Sequence, residues 1–291
     1  MKTFITRTIS ALFFVAIMLG GILYNSFTFF LLFFVINFFA LLEYLRLVRK
    51  IDPEYEQISS WHRYGLMIAS CGIMMAFSGG QFGGDSFSLG FIGWALAIVF
   101  LMVLPLGEIL MNNTFSLKNM GYSALGLIYV TVSIGMLVDM RLNDVLQFSL
   151  PSGQPIGYLV PLLLIIFIWI NDTMAYIVGS LIGRTPFFPS ISPKKTTEGS
   201  VGGMVLAVAT AGVFGWYWGK SVLAFEHWLA LAGIAAIFGT IGDLLESKLK
   251  RLAGVKDSGN MMPGHGGFLD RFDSLLLASP FAWLYVYFFL H

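Results

Sequence analysis

One constraint recurs along this chain: uncharged apolar runs of about 20 residues, the length that crosses the hydrocarbon core of a bilayer as a helix. FTFFLLFFVINFFALL at 27–42 and FIGWALAIVFLMVLPLG at 91–107 are two of them. Over all 291 residues, 57% are hydrophobic and only 11% charged, with a mean hydropathy of +0.80, too apolar for an ordinary soluble domain. The sequence therefore predicts an all-α integral membrane protein. Hydropathy and breakers place about nine transmembrane helices, at roughly 4–24, 27–48, 61–78, 90–111, 121–138, 156–182, 200–218, 226–245 and 272–290. The first run lacks a small-residue cleavage site and more spans follow it, so it reads as a helix rather than a removed leader.

Basic residues set the orientation. With the N-terminus inside, fifteen of the 17 Lys and Arg fall on the cytoplasmic side, and only Arg141 and Lys220 fall outside. That bias predicts N-in, C-out topology and puts the late charged loops on the cytoplasmic face. A net charge of +1 gives no general attraction to nucleic acid. The one cysteine, Cys71, sits in an apolar run as a small buried hydrophobe and cannot form an intramolecular disulfide. No repeat or polar linker divides the chain, so a single polytopic domain, 1–291, is the simplest organisation, with its chemistry concentrated in 165–275. Glu43 and Glu108 lie near cytoplasmic helix ends, where they read as snorkelling or paired carboxylates.

Charge gathers instead between Asp243 and Asp273, in DLLESKLKRLAGVKDSGNMMPGHGGFLDRFD. Ionisable groups beside hydrocarbon must pair, hold a metal or face water, so the segment reads as a phosphate-and-metal site. In a continued helix, Asp243, Glu246, Ser247 and Lys250 share one face. A break follows at Gly254, then an irregular loop with His265, Gly266 and Gly267; Asp270 and Asp273 open the last helix one turn apart. Hard oxygens from several elements suit Mg²⁺, which completes its shell with water and phosphate. Salt bridges tying helix ends together are the other reading of the cluster.

Two further features point the same way. Asp172 lies deep in an apolar run, beside Asn171 and one turn before Tyr176; it either accepts hydrogen bonds from a neighbouring helix or faces a polar cavity. The spacing Gly179-xxx-Gly183 predicts a close helix neighbour. Ser192-Pro193-Lys194-Lys195 reads as a helix start with N–H donors free for an anion, followed by Thr196. It serves equally well as an anchor for anionic headgroups.

On these residues the chain resembles the phosphatidate cytidylyltransferase family. Ser247, Lys250, Arg251, Lys256, Asp257, Pro263, His265, Gly266, Gly267, Asp270, Arg271 and Asp273 meet its signature, with Met262 a conservative departure, and the Ser192 to Gly203 region looks like its second conserved block. The C-terminal third carries the resemblance; the N-terminal half matches only in being several membrane helices. The resemblance implies transfer of CMP from CTP to phosphatidic acid, giving CDP-diacylglycerol and pyrophosphate, with Mg²⁺ required. It also implies a polar cavity open to cytoplasm and bilayer, a homodimer, and a place in the cell's inner membrane. In that frame Asp243 and Asp270 take Mg²⁺, with Asp273 or Glu246 as further ligand or support. Lys194, Lys195, Lys250 and Arg251 neutralise phosphates, and His265 with its glycines shapes the loop; Ser192, Thr196, Lys256, Arg271 and Asp172 complete the substrate side. A CTP-dependent lipid or polyprenol kinase, or an ion-coupled transporter using Asp172 and Asp243, are the rival readings. Polar interruption in the second half alone weighs against transport.

Overall fold

The computed structural model describes residues 2–84, 87–111, 115–143, 157–217, 223–259 and 266–290, and only the backbone of residues 2–11 and 111. The chain divides into two compact units, Met1–Asn143 with Leu252–Arg271, and Asp144–Arg251 with Phe272–His291.

In the first unit, α1 (Lys2–Leu23) and α2 (Ser26–Ile51) are joined by a two-residue turn. Asn25 Oδ1 accepts from Thr28 N at 2.8 Å while Thr28 Oγ1 accepts from Asn25 N at 3.2 Å, a reciprocal cap that starts α2 at once. A 3₁₀ turn (Pro53–Gln57), capped by Asp52, leads to α3 (Ser60–Ala76). The Gly-rich stretch after it contributes a two-residue ladder, Gly83–Gly84 with Phe87–Ser88, before α4 (Leu89–Met111). α5 (Leu117–Gly126) and α6 (Ser133–Leu142) form one rod through a π turn, Leu127–Val132. Phe29, Phe33, Leu41 and Tyr44 of α2 fill the core with Leu66 and Met74 of α3 and Leu137 of α6. A buried polar chain crosses it: Asn37 Nδ2 donates to Ser70 Oγ at 2.9 Å, which meets Thr131 Oγ1 at 2.8 Å. Each link satisfies a group that hydrocarbon could not.

The second unit holds α7 (Leu159–Ile182), α8 (Thr197–Tyr217), α9 (Phe225–Leu252) and most of α10 (Leu269–Phe289). α7 and α8 pack with almost no side chain between them: a Cβ on Gly199 would come within 2.7 Å of Ala175 O, and one on Gly203 within 2.7 Å of Asn171 O. Small residues permit this approach, and dispersion between the backbones is what drives helix association in lipid. The neighbour expected of the Gly179 spacing is therefore α8. Ala232, Ala235 and Ala236 of α9 and Ala278 and Ala282 of α10 are buried the same way, and Phe238 stacks on Phe281.

Among the described residues, seven helices are long and apolar enough to cross a membrane: Ser26–Ile51, Leu89–Leu110, Leu117–Leu142, Leu159–Ile182, Thr197–Tyr217, Phe225–Leu252 and Leu269–Phe289. The expected spans at 4–24 and 61–78 appear as α1 and α3. Of α1 only Leu12–Leu23 counts as a described apolar stretch, and α3 is 17 residues long.

Candidate active site

Polar groups from three segments of the second unit line a cavity of 430 Å³, inside the range of small-molecule sites. α7 supplies Asn171, Asp172, Tyr176 and Ser180; the turn before α8 supplies Lys194, Lys195 and Thr196; α9 supplies Thr240 and Asp243. Asp172 lines this space, and its Oδ1 accepts from Asn171 Nδ2 of its own helix at 3.4 Å. Asn171 itself is buried and reaches across to Thr240 Oγ1 at 3.3 Å, fixing α7 against α9. Of the two readings of Asp172, the cavity-facing one is what the structure shows.

The turn before α8 differs from the sequence expectation. The helix starts at Thr197, not at Pro193, because the backbone on either side of the lysines is already paired: Phe187 N donates to Lys195 O at 2.8 Å and Thr197 N to Thr185 O at 2.9 Å. Thr196 then caps α8, its Oγ1 accepting from Gly199 N at 3.2 Å. Glu198 reaches back to Thr185, taking its N–H at 3.1 Å and its hydroxyl at 2.8 Å. A loop fastened at both ends aims Lys195 at α9, where its Nζ pairs with Asp243 Oδ2. Lys194 is exposed at the rim, and Ser192 accepts from Lys195 N through its carbonyl at 3.2 Å.

On α9 the expected shared face forms. Ser247 Oγ donates to Asp243 Oδ1 at 3.4 Å, and Lys250 Nζ lies 2.6 Å from Glu246 Oε2, a carboxylate without solvent exposure. Glu246 and Lys250 thus engage each other one turn beyond Asp243. Arg251 donates through Nε to Ile191 O at 3.2 Å, bracing the same loop from behind. Asp273, at the start of α10, is buried; its Oδ1 accepts from Ser274 N at 2.6 Å, and it feels the charges of Asp243, Asp172 and Lys250. Asp172, Asp243 and Lys195 line the cavity itself, and charges partly removed from water act on one another more strongly than in bulk.

Asp270, Gly266, Gly267 and Lys256 belong to the first unit. Asp270 Oδ2 accepts from Ser258 N at 2.9 Å, Ser258 Oγ at 2.9 Å and Gly267 N at 2.8 Å. Gly266, at φ +84, and Gly267 let the loop wrap this oxygen. Lys256 and Arg271 are exposed. His265, Pro263 and Met262 lie outside the described residues. Among those described, no three Asp, Glu, His or Cys side chains draw together into a metal cage.

The Cytidylyltransferase family profile matches residues 5–289, almost the whole chain. The chain belongs to the cytidylyltransferase family. Among curated relatives of this cytidylyltransferase sequence, the phosphatidate cytidylyltransferase of Bacillus subtilis strain 168 is 37% identical over 186 residues, 64% of this chain and 65% of that protein. Those of Staphylococcus saprophyticus and Thermotoga maritima are both 36% identical, over 59% and 54% of this chain and 61% and 60% of theirs. The chain thus spans less than two thirds of the length of these relatives. Glu43, which the sequence offers as a snorkelling or paired carboxylate, is the second of these in a buried form. Glu43 does not snorkel: it has no solvent exposure, and its Oε2 accepts from Ser258 Oγ at 2.9 Å and Leu269 N at 2.8 Å. Ser258 so bridges Glu43 and Asp270, and a Cβ on Gly259 or Gly267 would collide with the Glu43 carboxylate. The only signal was a lone acid in an apolar run; its partners, more than two hundred residues downstream, left no mark on the local pattern.

Proposed function

We propose that this chain is a phosphatidate cytidylyltransferase, transferring CMP from CTP to phosphatidic acid and releasing pyrophosphate. The observation that carries the reading is the Lys195–Asp243 pair set beside Asp172 in a cavity walled by apolar helices. A site for a lipid phosphate and a nucleotide needs cations, hard oxygens and hydrocarbon together, and the relatives bear the name of this activity.

The chemistry needs no covalent intermediate. A phosphate monoester carries about −1.5 to −2 charges at neutral pH, so its oxygen can attack the α-phosphorus of CTP unaided by a strong base. The new P–O bond forms as the bond to the bridging oxygen breaks, and pyrophosphate leaves with that electron pair. Lys195 and Lys194 neutralise the phosphates and hold them in line, which is where catalysis of phosphoryl transfer resides. Asp243 and Asp270 are assigned to Mg²⁺, with Asp273 and Glu246 in support. Asp243 suits the ion: its Oδ2 already accepts a cation, the Lys195 ammonium, and Mg²⁺ commonly uses only one or two carboxylates beside water and phosphate. When bound, the ion would draw charge from the phosphoryl oxygens. Arg251 holds the lysine loop, and Gly266 and Gly267 hold Asp270.

The same reading makes α1 and α3 spans as well, for nine crossings with the N-terminus inside, the cavity open to the cytoplasm and bilayer of the inner membrane, and a homodimeric assembly. Purified protein given labelled CTP, phosphatidic acid and Mg²⁺ should yield pyrophosphate and a labelled liponucleotide. Release of CDP with a newly phosphorylated lipid would overturn the proposal in favour of a kinase.

A further inference from the structure

A second cavity, of 500 Å³, lies in the first unit between α2 and α3 and shares no lining residue with the first. Its two ends differ in chemistry. At one stand three guanidinium groups, Arg46 and Arg49 near the end of α2 and Arg63 in the first turn of α3. Behind them the wall is uncharged, with Phe38 and Leu42 from α2 and Met67 and Cys71 from α3. Phe38, Leu42, Arg46 and Arg49 fall at i, i+4, i+8 and i+11, and Arg63, Met67 and Cys71 at i, i+4 and i+8, so each helix gives the cavity a single face.

The length of that face is informative. Eleven residues from Arg49 to Phe38 rise about 16 Å along a helix. One leaflet of hydrocarbon is roughly 15 Å, half the ~30 Å core. That face is therefore about as long as one leaflet is deep, which in the proposed orientation would set its cations at the level of headgroup phosphates.

The arginines are also short of acceptors. Among the described residues no ion pair includes Arg46, Arg49 or Arg63. The Nε atoms of Arg49 and Arg63 are buried without a hydrogen-bond partner. Glu56 and the neighbouring Tyr55 act on Arg49 only at longer range. Guanidinium donors that meet no carboxylate at the edge of an apolar slot call for an anion from outside. Among phospholipid headgroups a phosphate monoester, with nearly two charges and three acceptor oxygens, matches three guanidiniums best.

We propose that this groove holds a phospholipid with a phosphate-monoester headgroup, its phosphate on Arg46, Arg49 and Arg63 and an acyl chain along Phe38, Leu42 and Cys71. The lipid class is that of the acceptor in the proposed reaction, but the binding needs no nucleotide and can be tested apart from it.

Cys71, the chain's one cysteine and half-buried in the wall, is a built-in reporter. The full-length protein, purified in detergent, would be alkylated with a maleimide in the presence of dioleoyl phosphatidic acid, dioleoyl phosphatidylcholine or inorganic phosphate. Phosphatidic acid should slow Cys71 modification by about ten-fold, and the other two by less than two-fold. The R49Q/R63Q protein, checked for its gel-filtration profile and Tm, should lose the protection. Should that variant not fold, the three ligand arms on the unaltered protein decide the matter alone, and a Met67→Cys reporter on a Cys71→Ala background repeats them. Equal protection by phosphatidylcholine would reduce the groove to an ordinary lipid contact, and equal protection by inorganic phosphate would remove the lipid. Protection that persists in R49Q/R63Q would equally overturn the proposal. Asp243→Asn protein should be protected like the unaltered chain even if it makes no product, so failure of the groove and failure of the activity remain distinguishable.

Discussion

Asp243 carries two bonds at once, the Lys195 ammonium on one oxygen and Ser247 on the other, and it lines the cavity. Asp243→Asn keeps the shape but removes the charge, so kcat should fall by about a hundred-fold or more, the scale of losing one group that stabilises developing charge, while Tm changes little. Asp270→Asn should do the same; an active variant would end its assignment to Mg²⁺. Glu43 is a different case, buried and bonded to a hydroxyl and a backbone N–H. Glu43→Ala strands the buried Leu269 N–H and leaves the Ser258 hydroxyl to Asp270 alone, costing about 1–3 kcal/mol, read as a lower Tm, with Glu43→Gln milder because it keeps an acceptor. Asp52 lies beyond the end of α2, and the Lys118 ammonium at 2.6 Å holds its carboxyl below the usual range. A depressed folded-state value means the pair stabilises above the ordinary carboxylate pKa of about 3.9 and is lost as pH falls through the lowered one. Tm should accordingly drop more steeply below pH 4 in the unaltered chain than in Asp52→Asn.

At the scale of the element, the α7–α8 pair depends on glycines where backbones touch. Gly203→Val would drive a methyl-bearing carbon into Asn171 O and the backbone of Ala175, neither of which can yield, so destabilisation of about 1–3 kcal/mol and loss of turnover are expected. Gly233 in α9 has nothing within 4 Å of a Cβ, and Gly233→Ala should raise Tm through helix propensity worth up to about 1 kcal/mol. Helices were the most legible part of the sequence, because a run of apolar residues declares its own length. The close neighbour of Gly179 was legible for the same reason. The start of α8 was not: Ser192-Pro193 carries every local sign of a cap, and it lost to the pairing of Phe187 with Lys195, a contact between residues that local propensity does not join. The face of α9 followed directly from the 3.6-residue period, whereas the Glu246–Lys250 engagement depends on burial that spacing alone does not report.

For the whole molecule, the positive-inside bias gives a direct test of orientation. On a Cys71→Ala background, a cysteine at Lys194 should react with an impermeant thiol reagent from the cytoplasmic side and one at Phe87 from the opposite side. The reverse pattern would invert the proposed topology. Chelation of divalent ions should stop product formation and Mg²⁺ should restore it. The two-unit division of the chain was not legible, since it arises from a segment, Leu252–Arg271, that rejoins helices made far earlier. That return has a consequence for biogenesis. Glu43 is synthesised early, while its partners Ser258 and Leu269 stand 215 and 226 positions downstream. At about 5–20 residues per second, the carboxylate waits on the order of ten to forty seconds inside a nascent helix before its ligands exist. The first unit therefore closes only after Leu269 has been made, and a chain stopped at residue 251 would leave an acid stranded in the bilayer for quality control to find.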